Sequence, residues 1–94
     1  MHPLIESQRA AIVALAHRHH VPRVRIFGSM ARGDAGPDSD ADFLVDIDDA
    51  TTGFDLGGLL MDLQELLGVR VDVVTEAALH PQVRERALRE AIPL

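Results

Sequence analysis

A Gly-Ser pair followed after ten residues by an Asp-x-Asp pair, GSMARGDAGPDSDAD over residues 28–42, constrains the fold of this chain more than any other feature. Before it, Val21 to Phe27 is rich in β-branched residues and stops at Gly28, as a short strand does. After it, Phe43, Leu44, Val45 and Ile47 resume as a second strand. Between them Gly33, Asp34, Gly36, Pro37 and Asp38 form a turn-rich loop. The stretch is therefore strand, tight turn, loop, strand, with a hydroxyl at its start and two carboxylates at its end.

Helical spacing surrounds it. Pro3 suits a first helical turn, and Ile5, Ile12, Leu15 and Ala16 recur on one side up to the polar cluster His17, Arg18, His19 and His20, where a first helix should end. Asp55 favours a helix N-terminus, and Leu56, Leu59, Leu60, Leu63, Leu66 and Leu67 follow at three- and four-residue steps before Gly68. Val69 to Thr75 predicts a third strand. Pro81 opens a last helix with Val83, Ala87, Leu88, Ala91 and Ile92 as its apolar side. The order α-β-loop-β-α-β-α predicts one α/β (α+β) domain over residues 1–94, with at least three strands and flanking helices.

Charge and composition narrow the partners. Fifteen acidic against nine basic residues give a net charge of −6, which repels a phosphate backbone. With three Phe and no Trp or Tyr, base-stacking platforms are also missing. Direct nucleic-acid binding is not expected, and a neutral or basic protein partner fits better. The absence of cysteine excludes disulfides, thiolate metal sites and thiol nucleophiles. No apolar run nears the roughly 20 residues that span a bilayer, and no signal-peptide pattern opens the chain, so a cytoplasmic protein is expected.

Residues two apart in a strand share a face about 6.6 Å apart. Asp40 and Asp42 project together if the second strand begins near Asp40, repelling by about 2 kcal/mol at an effective dielectric near 20. A divalent cation turns that cost into a site, because magnesium takes hard oxygen ligands and substrate phosphates. Val69, Val71 and Val73 mark one face of the third strand, which leaves Asp72 on the other. Asp40, Asp42 and Asp72 are the candidate metal ligands. Gly28 permits close approach of a phosphate, Ser29 supplies a hydroxyl and an N–H at the start of a short helix, and Arg32 is a candidate contact for a triphosphate or pyrophosphate.

Other polar clusters read as structural. His17, His19 and His20 fit a solvated helix end, and Asp48 and Asp49 fit turn chemistry. Asp46 shares a face with Asp42 and is a candidate to tune the site. Arg84, Arg86 and Arg89, among Glu85 and Glu90, fit a solvated, salt-bridged helix face.

From Ile26 to Asp46, IFGSMARGDAGPDSDADFLVD, the chain resembles the minimal nucleotidyltransferase domain of the DNA polymerase β-like superfamily, and the resemblance extends through Asp72 in VRVDVVT. It implies a nucleotidyltransferase fold with a mixed sheet. It also implies two magnesium ions on Asp40, Asp42 and Asp72, ATP held at Gly28 and Ser29, and Asp72 as possible base toward the acceptor. The smallest members are similar to antitoxins that adenylylate a tyrosine of a HEPN ribonuclease toxin, which implies such a toxin as partner. Two other classes fit the residues less well. One is a contact-only binding module, which has no need for clustered carboxylates. The other is a small-molecule transferase, which usually carries an added acceptor domain.

Overall fold

The computed structural model describes all residues, Met1–Leu94. In chain order the elements are α1 (Pro3–Ser7), α2 (Arg9–Arg18), β1 (Arg23–Phe27), α3 (Ser29–Arg32), β2 (Ala41–Asp46), α4 (Gly53–Leu67), β3 (Val71–Thr75), a 3-10 turn (Glu76–Ala78), α5 (Pro81–Glu90) and β4 (Ile92–Pro93). The strands form one mixed sheet in the order β3-β2-β1-β4. β1 runs antiparallel to β2 and β4, and β2 runs parallel to β3.

Strand alternation sorts side chains between the two sheet faces. Val24 and Ile26 of β1, Ala41, Phe43 and Val45 of β2 and Val71 of β3 join Ile5, Ile12, Ala16, Leu59, Leu63 and Leu67 in the main core. The opposite face carries a smaller cluster of Phe27, Leu44 and Ala87, with Val74, Leu79 and Ala91 packed against it. Helices α1, α2 and α4 thus cover one face, and α5 covers part of the other.

Three sequence expectations need correction. The first helix is divided at Gln8, whose φ of −106° and ψ of 11° leave helical geometry; Ile5 and Ile12 on either side are both fully buried. The last helix stops at Glu90, because Ala91 is extended, and Ile92 pairs in β4 with Ile26 instead of lying on a helix face. Proline at 93 disfavours helical geometry at Ile92. Nor is the histidine cluster simply solvated: His19 Nε2 lies 2.6 Å from Asp62 Oδ2, and His20 Nδ1 lies 3.2 Å from Asp55 Oδ1. Both pairs tie α2 to α4. Gly58 makes the first possible, since a Cβ there would lie 2.7 Å from the His19 ring. No helix is long and apolar enough to cross a membrane.

Candidate active site

The sheet topology brings three chain-distant segments to one end of one face. β1 ends at Phe27, which pairs with Asp42 near the start of β2. Asp42 in turn pairs with Asp72 on β3. Neighbouring strands lie about 4.8 Å apart, so the two aspartates stand side by side on the face opposite the main core. Strand alternation predicted that placement for each, and the parallel pairing makes them neighbours.

Gly28 completes the arrangement. Its φ of 73° and ψ of −154° belong to a region almost closed to other residues, and a Cβ built there would fall 2.6 Å from Asp42 Oδ2. The turn therefore lies too close to the carboxylate to leave room for a side chain at 28. Ser29 opens α3, whose residues Met30 and Ala31 are buried, and Arg32 closes it. The core anchors this turn: Met30 and Ala31 belong to the main cluster, and the His2 N–H donates to the Met30 carbonyl at 2.7 Å.

Partial burial, then the like charges of Asp72 and Asp40, raise the pKa of Asp42 above its ordinary value; Arg32 opposes the rise. Charge is thus concentrated at Asp42 at a cost, the condition that a bound cation relieves. Asp40 lies just before β2, and its Oδ1 lies 3.1 Å from Arg70 Nε in an ion pair. As the side chains lie, no three His, Asp or Glu residues converge as a set for one metal ion. The oxygen donors fit a hard divalent cation, with Asp42 and Asp72 adjacent and Asp40 held to one side by Arg70.

Asp46 belongs to a different cluster. Arg23 Nε lies 3.2 Å from one carboxylate oxygen and Arg25 Nη2 lies 3.2 Å from the other, so its charge is spent at the far end of β1. Arg32 lies beside the turn as expected, but it is not simply solvated. Its Nε donates to Asp34 Oδ2 at 3.1 Å and its Nη1 to Glu90 Oε2 at 2.8 Å. Glu90 is a residue that sequence reasoning missed, because 58 positions separate it from Arg32.

A family model for the nucleotidyltransferase domain matches residues 9–94, which include the turn, all three aspartates and α5. The chain belongs to the nucleotidyltransferase-domain family. A candidate protein adenylyltransferase of Methanocaldococcus jannaschii is 38% identical over 88 residues, covering 94% of this chain and 95% of the relative. The protein adenylyltransferase MntA of Thermococcus cleftensis is 37% identical over 78 residues, covering 83% and 79%. Among solved structures, a candidate minimal nucleotidyltransferase superposes with a TM-score of 0.85 at 49% identity, covering 100% of this chain and 97% of that one. A toxin–antitoxin assembly with AMP-PNP shares the fold, with a TM-score of 0.74 at 20% identity over 89% of this chain and 69% of that chain. The nucleotidyltransferase fold, with its mixed sheet and flanking helices, agrees with the sequence expectation.

Proposed function

We propose that this domain is a magnesium-dependent protein adenylyltransferase that moves AMP from ATP to a hydroxyl of a partner protein, a tyrosine of a HEPN-type toxin, and so acts in the cytoplasm as that toxin's antitoxin. The carrying observation is the in-register Asp42–Asp72 pair beneath the close approach of Gly28. The adenylyltransferase names of two relatives at 37–38% identity favour protein as the acceptor. The fold-sharing toxin–antitoxin assembly favours a toxin as that protein.

Asp42 and Asp72, with Asp40 once it turns from Arg70, are the residues that would hold two magnesium ions. When bound, those ions supply charge neutralisation at the reacting phosphate and at the leaving oxygen. The Gly28–Ser29 backbone and the Ser29 hydroxyl hold the triphosphate, and Arg32 contacts its terminal end. An acceptor oxygen attacks the α-phosphorus: the new O–P bond forms, the bond from the α-phosphorus to the bridging oxygen breaks, and pyrophosphate leaves. Asp72, exposed on the edge strand, takes the acceptor's proton.

Incubation with ATP, magnesium and the cognate toxin should raise the toxin's intact mass by one or more AMP units. Asp42→Asn should bind the toxin and leave its mass unchanged. An unshifted mass with the wild-type protein, together with full neutralisation by Asp42→Asn, makes the contact-only module the better account.

A further inference from the structure

The carboxylate of Glu90 is shared by two arginines. Arg32 Nη1 donates to one oxygen at 2.8 Å and Arg86 Nε to the other at 3.0 Å, and the Glu90 side chain is only 21% exposed. The three side chains rim a recess of about 160 Å³ whose walls are Phe27 and Gly28 on one side and Val83 and Ala87 on the other. The recess therefore opens directly beside the turn that approaches Asp42. An i, i+4 pair such as Arg86–Glu90 is ordinary on a solvated helix. A carboxylate that also reaches across the fold to the last residue of α3 is not.

We propose that Glu90 is a positioning residue that fixes Arg32 and Arg86 as a paired guanidinium clamp at the Gly28 recess, the clamp receiving the terminal phosphates of the nucleotide. This rests on the nucleotidyltransferase reading above and adds two residues of α5 to it. Arg32 has Nε on Asp34 and Nη1 on Glu90, so its Nη2 edge is left to face a ligand. Arg86 has Nε on Glu90 and is 64% exposed, so its terminal nitrogens are open in the same way. Both guanidinia lose rotamer freedom in the free protein, which lowers what phosphate binding must spend on ordering them. Without Glu90 the two cations repel and turn into solvent. The Glu90 charge itself opposes an anion, yet that opposition is partly neutralised by two arginines and screened by salt, whereas the fixed geometry is not.

Positioning and simple charge predict opposite signs for Glu90→Gln. The clamp predicts that magnesium-ATP affinity, measured by calorimetry, falls about tenfold in Glu90→Gln, with Glu90→Asp recovering part of it. Arg86→Ala should weaken binding in the same direction. In an Arg32→Ala/Arg86→Ala background the Glu90→Gln change should have no further effect, because both groups it positions are gone. In the nucleotide-free protein, the Arg86 Nε–H resonance, whose acceptor is Glu90, should exchange slowly in wild type and rapidly in Glu90→Gln; a resonance unchanged by the substitution overturns the positioning role. Equal or tighter ATP binding by Glu90→Gln, or equal losses with and without the two arginines, overturns the clamp while leaving the enzyme reading intact. Failure of the wild-type protein to bind magnesium-ATP removes the enzyme reading and the clamp's ligand together, and the Nε–H signal then reports the positioning alone.

Discussion

Gly28 and Asp42 illustrate how much can depend on one missing methyl group. Any side chain at 28 meets Asp42 Oδ2 at 2.6 Å and forces a backbone conformation that only glycine adopts readily. Gly28→Ala should therefore destabilise by about 2 kcal/mol or more, read by urea denaturation. Adding Asp42→Ala should recover the steric share and leave the backbone share. Asp42 carries the opposite sign. A carboxylate whose folded pKa is raised costs stability once it ionises, and that cost is absent at low pH and fully present above the raised value. Metal-free Asp42→Asn should accordingly melt at or above the wild-type temperature near pH 7, with the gap closing as pH falls through the raised Asp42 value. Its transfer rate should fall by about 10²-fold or more. A metal-free Asp42→Asn that melts well below wild type at neutral pH would contradict the strained-carboxylate account. Asp42 and Asp72 were legible in the sequence because a period of two fixes the face of a strand residue. Asp40 lies outside the strand, where its direction depends on Arg70, and nothing local announces that partner.

Among the elements, α4 was the most legible and is the most completely specified. Thr52 and Asp55 cap it reciprocally, the Asp55 N–H donating to Thr52 Oγ1 at 3.2 Å and the Thr52 N–H to Asp55 Oδ2 at 2.8 Å. Leu59, Leu63 and Leu67 are buried along one side. Thr52→Ala should cost about 1 kcal/mol through the lost cap, and Leu63→Ala about 2–5 kcal/mol through the lost packing and the cavity. Thermal or urea unfolding separates the two, and equal costs would mean that the cap carries more than the hydrogen bonds suggest. The Thr52 N–H chiefly holds the Asp55 pKa below its ordinary value. A lowered carboxylate pKa stabilises above the unfolded value and is lost as pH falls through the folded one, so acid should weaken this cap. The end of the chain was less legible. Ala91 and Ile92 continue the spacing of α5, and only Pro93 hints at the change to β4. Pairing with β1, and the Arg9 Nη2 bond to the Pro93 carbonyl at 2.7 Å, are long-range facts that periodicity does not carry.

Over the whole molecule, the two sheet faces are unequally held. The main core gathers fifteen buried residues, none of them beyond Val71, whereas the site face gathers three, of which α5 supplies Ala87 alone. Strand order was the least legible feature. No local signal says that β1 sits between β2 and β4, although that order is what sets the Gly28 turn, Asp42 and Asp72 at one end of one face. The same order leaves α5 attached mainly by polar contacts: Arg84 Nε donates to the Glu76 carbonyl at 2.9 Å, Arg84 Nη2 to the Leu79 carbonyl at 3.0 Å, and Glu90 accepts from Arg32. Segments with few buried apolar contacts open at lower free energy than the core. The amides of α5 should therefore exchange hydrogen at least about tenfold faster than those of α4 in the nucleotide-free protein. Magnesium-ATP should slow α5 selectively, because a ligand touching Arg32 and Arg86 stabilises the closed form by its own binding free energy. Mass-resolved hydrogen exchange across Pro81–Glu90 and Gly53–Leu67 checks both statements. Equal exchange in the two helices would mean that the small cluster under α5 is as firm as the main core. Nucleotide protection confined to Gly28–Arg32 would place the phosphates away from α5.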